Sequence, residues 1–275
     1  MRKPRYPLAV AAAVVVAVVS GVAPLAQDAA PPPLSPEAME EFLLHADLSD
    51  LDRVDVGVTG SRRASASDGR ITHDVHIQTV DIQRDTFVAA GARVELNFRD
   101  SYRYNIGAYR LAVLLGMDNV PMSVPRRVNG DPAAVTWWVD DVAMTERDRI
   151  EQRAFPPNPQ DAYSQFYTMY AFDELIQNRD RNPGNSLWTT DWKLWLIDHT
   201  RAFRPDVEIS EPERLTRISR SLLEGMRALT PESLEDAMDD ILTRQERERV
   251  LARRDLLVEH FDARISRIGD AVLID

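Results

Sequence analysis

Two aspartates and an asparagine stand out in the stretch AFDELIQNRDRNPGNSLWTTDWKLWLIDHTRAFR, residues 171–204. Asp180 is followed five positions later by Asn185, and Asp198 comes thirteen positions after that. Phosphoryl transfer to a hydroxyl needs one carboxylate near the acceptor. It also needs a second carboxylate and an amide oxygen to hold magnesium on the phosphates. The three side chains are of those types. Between Asn185 and Asp198, Leu187-Trp188 and Leu194-Trp195-Leu196-Ile197 are apolar runs around polar Thr189-Thr190-Asp191. That is the pattern of a hairpin whose second strand ends at the acid. Asn-Pro-Gly on its own is a common surface turn, so the loop gains meaning only with the strand-ending Asp198.

Other elements must position these groups. Residues 161–178 predict a helix with Tyr163, Phe166, Tyr167, Tyr170, Leu175 and Ile176 on its apolar stripe, delivering the chain into the loop. Residues 100–117 predict another, with Tyr104, Ala108, Leu111 and Leu115 on one stripe, Asp100 or Ser101 as cap, and Gly116 and Pro121 at its end. Ser35-Pro36 opens an earlier helix, and residues 144–153 suit a short charged one. Alternation predicts strands over 54–60, 75–80, 124–130 and 133–142, with 61–69 as a polar turn. After Phe203 the pattern reads as helical throughout, over 211–228, 231–242 and 244–269. Caps stand at Ser210, Thr230 and Thr243.

At the loop a resemblance appears. Asp180-Arg181-Asn182-Pro183-Gly184-Asn185 and Ile197-Asp198-His199-Thr200-Arg201-Ala202-Phe203 resemble the DRNxxN and IDHxxxF elements of the atypical protein-kinase-like superfamily. This branch includes phosphatidylinositol kinases, HipA-like kinases and secretory-pathway kinases. SYRYNIGAYRLAVLLGMDNVP is similar to its helix pattern YE(V/I)AAYxLxxLLGLxxVP. The resemblance implies an α+β, bilobal kinase-like fold. A small antiparallel-sheet N-lobe would span 35–142, and a mainly helical C-lobe 143–275 with its catalytic-type loop at 178–203. It implies ATP or another nucleotide with Mg2+ or Mn2+. Asp180 would be catalytic, Asn185 and Asp198 would bind the metal, and Arg181 and His199 would be supporting neighbours. The backbone at Trp138 and Val139 would meet the adenine, with both Trp rings packing between the lobes, and the turn at 57–60 would cover the phosphates.

The N-lobe departs from the family. Val75-His76-Ile77-Gln78 overlays the strand pattern V-A-I-K, so Gln78 stands where lysine is expected, and Asn105 stands where the helix glutamate is expected. The chain's two lysines are Lys3 and Lys193. An expected Gln78–Asn105 amide pair would offer the nucleotide a dipole in place of a charge. Arg62, Arg63, Arg99 and Arg103 are alternative sources of that charge. Two functions follow: a phosphotransferase to a hydroxyl acceptor (protein, lipid, sugar or small molecule), or a pseudokinase, a nucleotide-binding or scaffold module.

Composition narrows the rest. A formal charge of −11 opposes nonspecific nucleic-acid binding, which needs a basic face. With no cysteine there is neither a disulfide framework nor a thiolate metal site. No G-x-S-x-G or H-E-x-x-H occurs, and the histidines are scattered. Residues 1–26 place Arg2, Lys3 and Arg5 before an apolar run, as in a secretory signal peptide. Uncleaved, residues 8–26 would anchor the chain in a membrane; either way it would be exported, periplasmic or extracellular. Residues 27–34, with Pro31-Pro32-Pro33, read as a stiff linker.

Overall fold

Ser35 caps the first helix, its Oγ accepting from Ala38 N at 3.2 Å, and Pro36 presets the first turn. The computed structural model describes residues 34–53, 61–88 and 94–274. The signal or anchor segment, the linker to residue 33 and the 54–60 strand and turn lie outside the described residues.

Helix α1 (Pro36–His45) leads into β1 (Asp47–Arg53), β2 (Arg62–Ser67), β3 (Thr72–Gln78), β4 (Asp81–Val88), β5 (Val94–Ser101), α2 (Arg103–Leu114), β6 (Ser123–Val128) and β7 (Asp131–Trp137). Five of the strands form an antiparallel sheet in the order β1-β2-β3-β7-β6. Alternation decides its faces. Ala64, Ala66, Val75, Ile77, Val124, Ala133 and Val135 bury themselves with Phe42 and Leu43 of α1. Ala134, on the opposite face, joins the larger core that α2 enters with Tyr104, Ile106, Ala108 and Leu111. The sheet is thus held between α1 and α2.

Two expectations are corrected here, and one unexpected hairpin is added. Residues 62–67 form a strand, not a turn. Its buried positions are alanines, which mark alternation weakly. A hairpin, β4–β5, lies ahead of α2 in the chain, pairing Asp81 with Ser101 and Val88 with Val94. Consequently Asp100 and Ser101 finish β5 and do not cap α2, whose N-cap is Tyr102 with no side-chain bond.

The C-terminal half contains β8 (Val142–Thr145), α3 (Glu146–Gln152), α4 (Pro159–Ile176), β9 (Ser186–Thr189), β10 (Leu194–Leu196), β11 (Ile218–Ser219), α5 (Arg220–Ala228), α6 (Pro231–Met238), α7 (Arg244–Ile268) and β12 (Leu273–Ile274). The strand expected over 133–142 ends at Trp137, and β8 instead joins β9 and β10 in a separate sheet. Phe172 of α4, Trp188 of β9, Phe203 and Phe261 of α7 fill one core with α2. The expected helix from 211 starts only at Arg220. The buried carboxylate of Glu174 accepts from Ser210 N (2.9 Å) and Glu211 N (3.0 Å), pinning this segment to α4. Arg253, buried on α7, holds the intervening segment through Arg204 O (3.1 Å) and Asp206 O (3.0 Å). Among the described residues no helix is long and apolar enough to cross a membrane.

Candidate active site

The loop between α4 and β9 is shaped by its own side chains. Gln177 ends α4 in the left-handed region, at φ 51°. Asn178 N and Nδ2 then donate back to Asp173, at 2.8 and 3.1 Å. Asn182 caps a single 3-10 turn, Pro183–Asn185, accepting from Gly184 N at 2.9 Å. Beyond it, β9 and β10 pair with Trp188 opposite Leu194 and Ser186 opposite Leu196, so the second strand delivers Asp198 beside the loop. This is the hairpin read from the sequence.

Arg181 fastens loop and hairpin together. Its guanidinium forks onto Asp173 at 2.9 and 3.0 Å and donates to Asn185 O (2.6 Å) and Ile197 O (2.8 Å). Its Nη2 also donates to His199 Nε2 at 2.9 Å. His199 therefore accepts at Nε2 and carries its proton on Nδ1. Burial holds its pKa well below the ordinary value, with Arg181 adding to the effect, so the ring is neutral.

Asp180, Asn185 and Asp198 come together at the mouth of this scaffold. Asp180 and Asn185 are half-buried, and Asp198 is exposed. Asn185 Nδ2 reaches Asp180 O at 3.5 Å. Asp198 takes the left-handed φ of 52°, and Thr200 Oγ1 donates to its Oδ1 at 3.0 Å. Arg201 Nη1 donates to Asp180 Oδ1 at 3.0 Å. Burial raises the pKa of Asp180. Arg201 opposes that rise, and the Asp198 charge adds to it.

The segment after Asp198 is stapled to the N-terminal half. His199 N donates to Asn105 Oδ1 at 2.7 Å, and Ser101 N donates to Thr200 O at 2.8 Å. Phe203 N donates to Ile176 O at 2.6 Å, and its ring lies against Gly107, where an added Cβ would stand 3.2 Å away. These contacts bring Asp100 beside Asp198 and Asp180. Burial raises the Asp100 pKa, Thr200 opposes, and the two aspartates add to it.

The N-lobe residues are placed differently from expectation. Gln78 and Asn105 do not form an amide pair. Gln78 is 1% exposed, and its Oε1 accepts from Thr79 N (2.9 Å) and Val80 N (3.0 Å) while Nε2 reaches Ser61 (3.2 Å). Asn105 serves His199 instead. A glutamine beside two free N–H groups at a strand end satisfies backbone, and that local demand wins over a distant amide. Trp138 N donates to Asp74 O (3.2 Å) and its ring lies under Arg63, so that N–H is committed within the sheet. Trp137 stacks on His73 with centroids 3.6 Å apart; the recorded ring contacts of both tryptophans lie within the N-lobe and not between lobes. Val139 is buried next to them. Of the arginines considered, Arg63 pairs with Asp74, Arg99 with Glu246 at 3.5 Å, and Arg103 bonds Ser101 at 3.4 Å, while Arg62 is exposed on β2.

Arg201 and Asp100 were not singled out by sequence. Arg201 lies inside the I-D-H-T-R-A-F stretch, yet no spacing rule distinguishes it. An acid just ahead of a helix reads first as a cap.

The fold places the chain. No protein-family model matches the sequence, and no match is found among curated proteins. Solved structures do match. The hydra Fam20 structure, solved with sugar, aligns at TM-score 0.64 and 14% identity over 86% of this chain and 91% of that one. A Golgi casein kinase with Mn/ADP bound aligns at TM-score 0.63 and 14% identity, over 86% and 78%. The Helicobacter pylori proinflammatory kinase CtkA aligns at TM-score 0.52 and 11% identity, over 82% and 98%. The chain has a kinase-like fold. Its five-stranded sheet with α1 and α2 is the N-lobe, and the helices from α4 onward build the C-lobe.

Magnesium and manganese prefer oxygen donors. The exposed Asp198 carboxylate and the half-buried Asn185 amide offer them, and Asp100 adds a buried oxygen, Oδ1, with no hydrogen-bond partner among the described residues. The donor set fits a hard divalent ion. Among the described residues no three acidic or imidazole side chains converge on one point, so a bound ion would need further oxygen ligands from outside the chain.

Proposed function

We propose that this protein is an exported phosphotransferase that uses a nucleotide and a divalent cation to phosphorylate a hydroxyl acceptor. One observation carries the reading. A half-buried carboxylate with a raised pKa, Asp180, is held by Arg201 beside an exposed carboxylate, Asp198, on a loop whose shape Arg181 fixes. A purely structural loop has no need to crowd two carboxylates, and such crowding is where acid–base chemistry is found.

In this reading Asn185 and Asp198 hold the cation. When bound, the cation neutralises charge on the transferring phosphoryl group. Asp180 orients the acceptor hydroxyl and receives its proton as the acceptor oxygen bonds phosphorus and the bond to the leaving diphosphate breaks. Neutral His199 adds no charge of its own to the site. The Mn/ADP bound to the similar Golgi casein kinase supports the choice of cofactors. Export rests on the basic start and apolar run of residues 1–26.

A second reading, a pseudokinase, is favoured by the commitment of Gln78 and Asn105 to backbone, which leaves the N-lobe without the usual charge pair. Thermal denaturation with ATP plus Mg2+ or Mn2+ tests nucleotide use. The wild type should gain stability only with both ligands, and Asp198→Ala should lose the gain. A wild type unmoved by any nucleotide–metal combination would sink the enzyme reading.

A further inference from the structure

We propose that Asp100 is a cation ligand of this site, reaching from the N-lobe side so that a bound divalent ion supplies the positive charge that Gln78 does not. The inference rests on the phosphotransferase reading and specifies how its N-lobe half works.

Asp100 stands at the end of β5 and is 3% exposed. Its Oδ1 accepts no hydrogen bond among the described residues. Buried carboxylate oxygens are satisfied as a rule, because leaving one unpaired forfeits its hydration for nothing. Helix capping does not account for this residue, since α2 starts at Arg103 behind Tyr102. Its position is fixed by its neighbours. The Ser101–Thr200 bond of 2.8 Å and the Asn105–His199 bond of 2.7 Å lock the β5–α2 corner onto the two residues that follow Asp198.

Charge points the same way. The charges of Asp198 and Asp180 act on Asp100, and Asp198 acts on Asp180; Arg201 counters Asp100 and bonds Asp180. Arg181 also acts on Asp180, but its fork is taken up by Asp173, so the three carboxylates still outnumber the guanidiniums beside the place where nucleotide phosphates would come. A dication corrects that excess and at the same time bridges protein carboxylate to phosphate. Gln78 is buried and bonded to backbone, so the strand that normally brings a lysine brings no charge here. Because the acidic side chains do not enclose one point by themselves, binding of the ion should depend on the nucleotide.

The test uses the full chain with Mn2+ and ADP, so that turnover plays no part. Mn2+ affinity is read from the electron paramagnetic resonance of free Mn2+ during titration at saturating ADP, and folding from thermal denaturation. Asp100→Asn keeps the shape of the side chain and removes its charge. It should weaken Mn2+ binding about 10- to 100-fold, the scale on which altered metal surroundings act. Its metal-free melting temperature should equal or exceed that of the wild type, because a buried carboxyl with an unpaired oxygen is lost. Asp100→Ala, a second variant, should show the same weakening. Wild-type Mn2+ affinity in either folded variant overturns the assignment of Asp100 while leaving the phosphotransferase reading intact. A wild type that binds no Mn2+ with ADP overturns both.

Discussion

Arg201 Nη1 lies 3.0 Å from Asp180 Oδ1, placing a guanidinium from the segment after Asp198 on the carboxylate of the catalytic-type loop. The two side chains come from positions twenty-one residues apart and meet only because β9 and β10 fold back on the loop. Burial raises the Asp180 pKa and Arg201 works against that rise. A base acts when ionised, so turnover should climb with pH on the acidic side as Asp180 loses its proton. Removing the opposing cation in Arg201→Met should push the Asp180 pKa further up and shift that limb to higher pH, with Arg201→Lys intermediate. The pH profile of kcat/KM measures it.

Arg181 is the keystone of the loop. Its partners are Asp173, Asn185 O, Ile197 O and His199. Arg181→Ala would leave the Asp173 carboxylate, itself nearly buried, without a counter-charge. Breaking such a pair from one side costs about 3–5 kcal/mol. Arg181→Lys should recover little, because a single ammonium cannot reproduce the planar fork. Urea denaturation of both variants gives the comparison.

Placing at position 78 the lysine that the kinase strand pattern carries should fail. In Gln78→Lys the acceptor for Thr79 N and Val80 N disappears, and an ammonium enters a site that is 1% exposed. Each stranded N–H costs about 1–3 kcal/mol. The variant should lose at least about 2 kcal/mol of stability by denaturant melt, with no gain in nucleotide affinity. A stable variant with tighter nucleotide binding would show that the strand is built for a lysine after all.

Gly225 lets α5 approach the end of α2. An added Cβ would stand 2.8 Å from Leu115 O and 3.0 Å from its Cα, against backbone that cannot turn aside. In an open helix, Gly→Ala gains about 1 kcal/mol. Here the sign should reverse, with Gly225→Ala lowering the melting temperature.

Much of this molecule could be read from its residues, for a physical reason. Asp180, Asn185 and Asp198 are fixed by local events, a capped turn and a short hairpin, and local events leave local patterns. Gln78 and Asn105 were placed by family pattern, but their partners are backbone groups that no pattern of side chains records. The β4–β5 hairpin escaped notice because residues 81–86 are exposed, so there was no buried face to imprint alternation. Asp100 was misplaced with it, since a strand end and a helix cap look alike when the strand is invisible. The segment expected to be helical from 211 is instead tied to Glu174, thirty-seven residues away in sequence from Glu211, by a contact that no local pattern records.

Phosphoryl transfer is measured directly as ATP consumption with Mn2+, followed as ADP formation alongside intact-mass analysis of the protein. Wild-type protein should form ADP. Asp198→Asn should lose both binding and turnover. Asp180→Asn should still bind Mn2+–ATP yet turn over about 10²- to 10⁴-fold more slowly, the scale of a lost acid–base group. Equal ADP formation by wild type and Asp180→Asn would contradict the account, as would a wild type that binds Mn2+–ATP and leaves it intact with every class of hydroxyl acceptor.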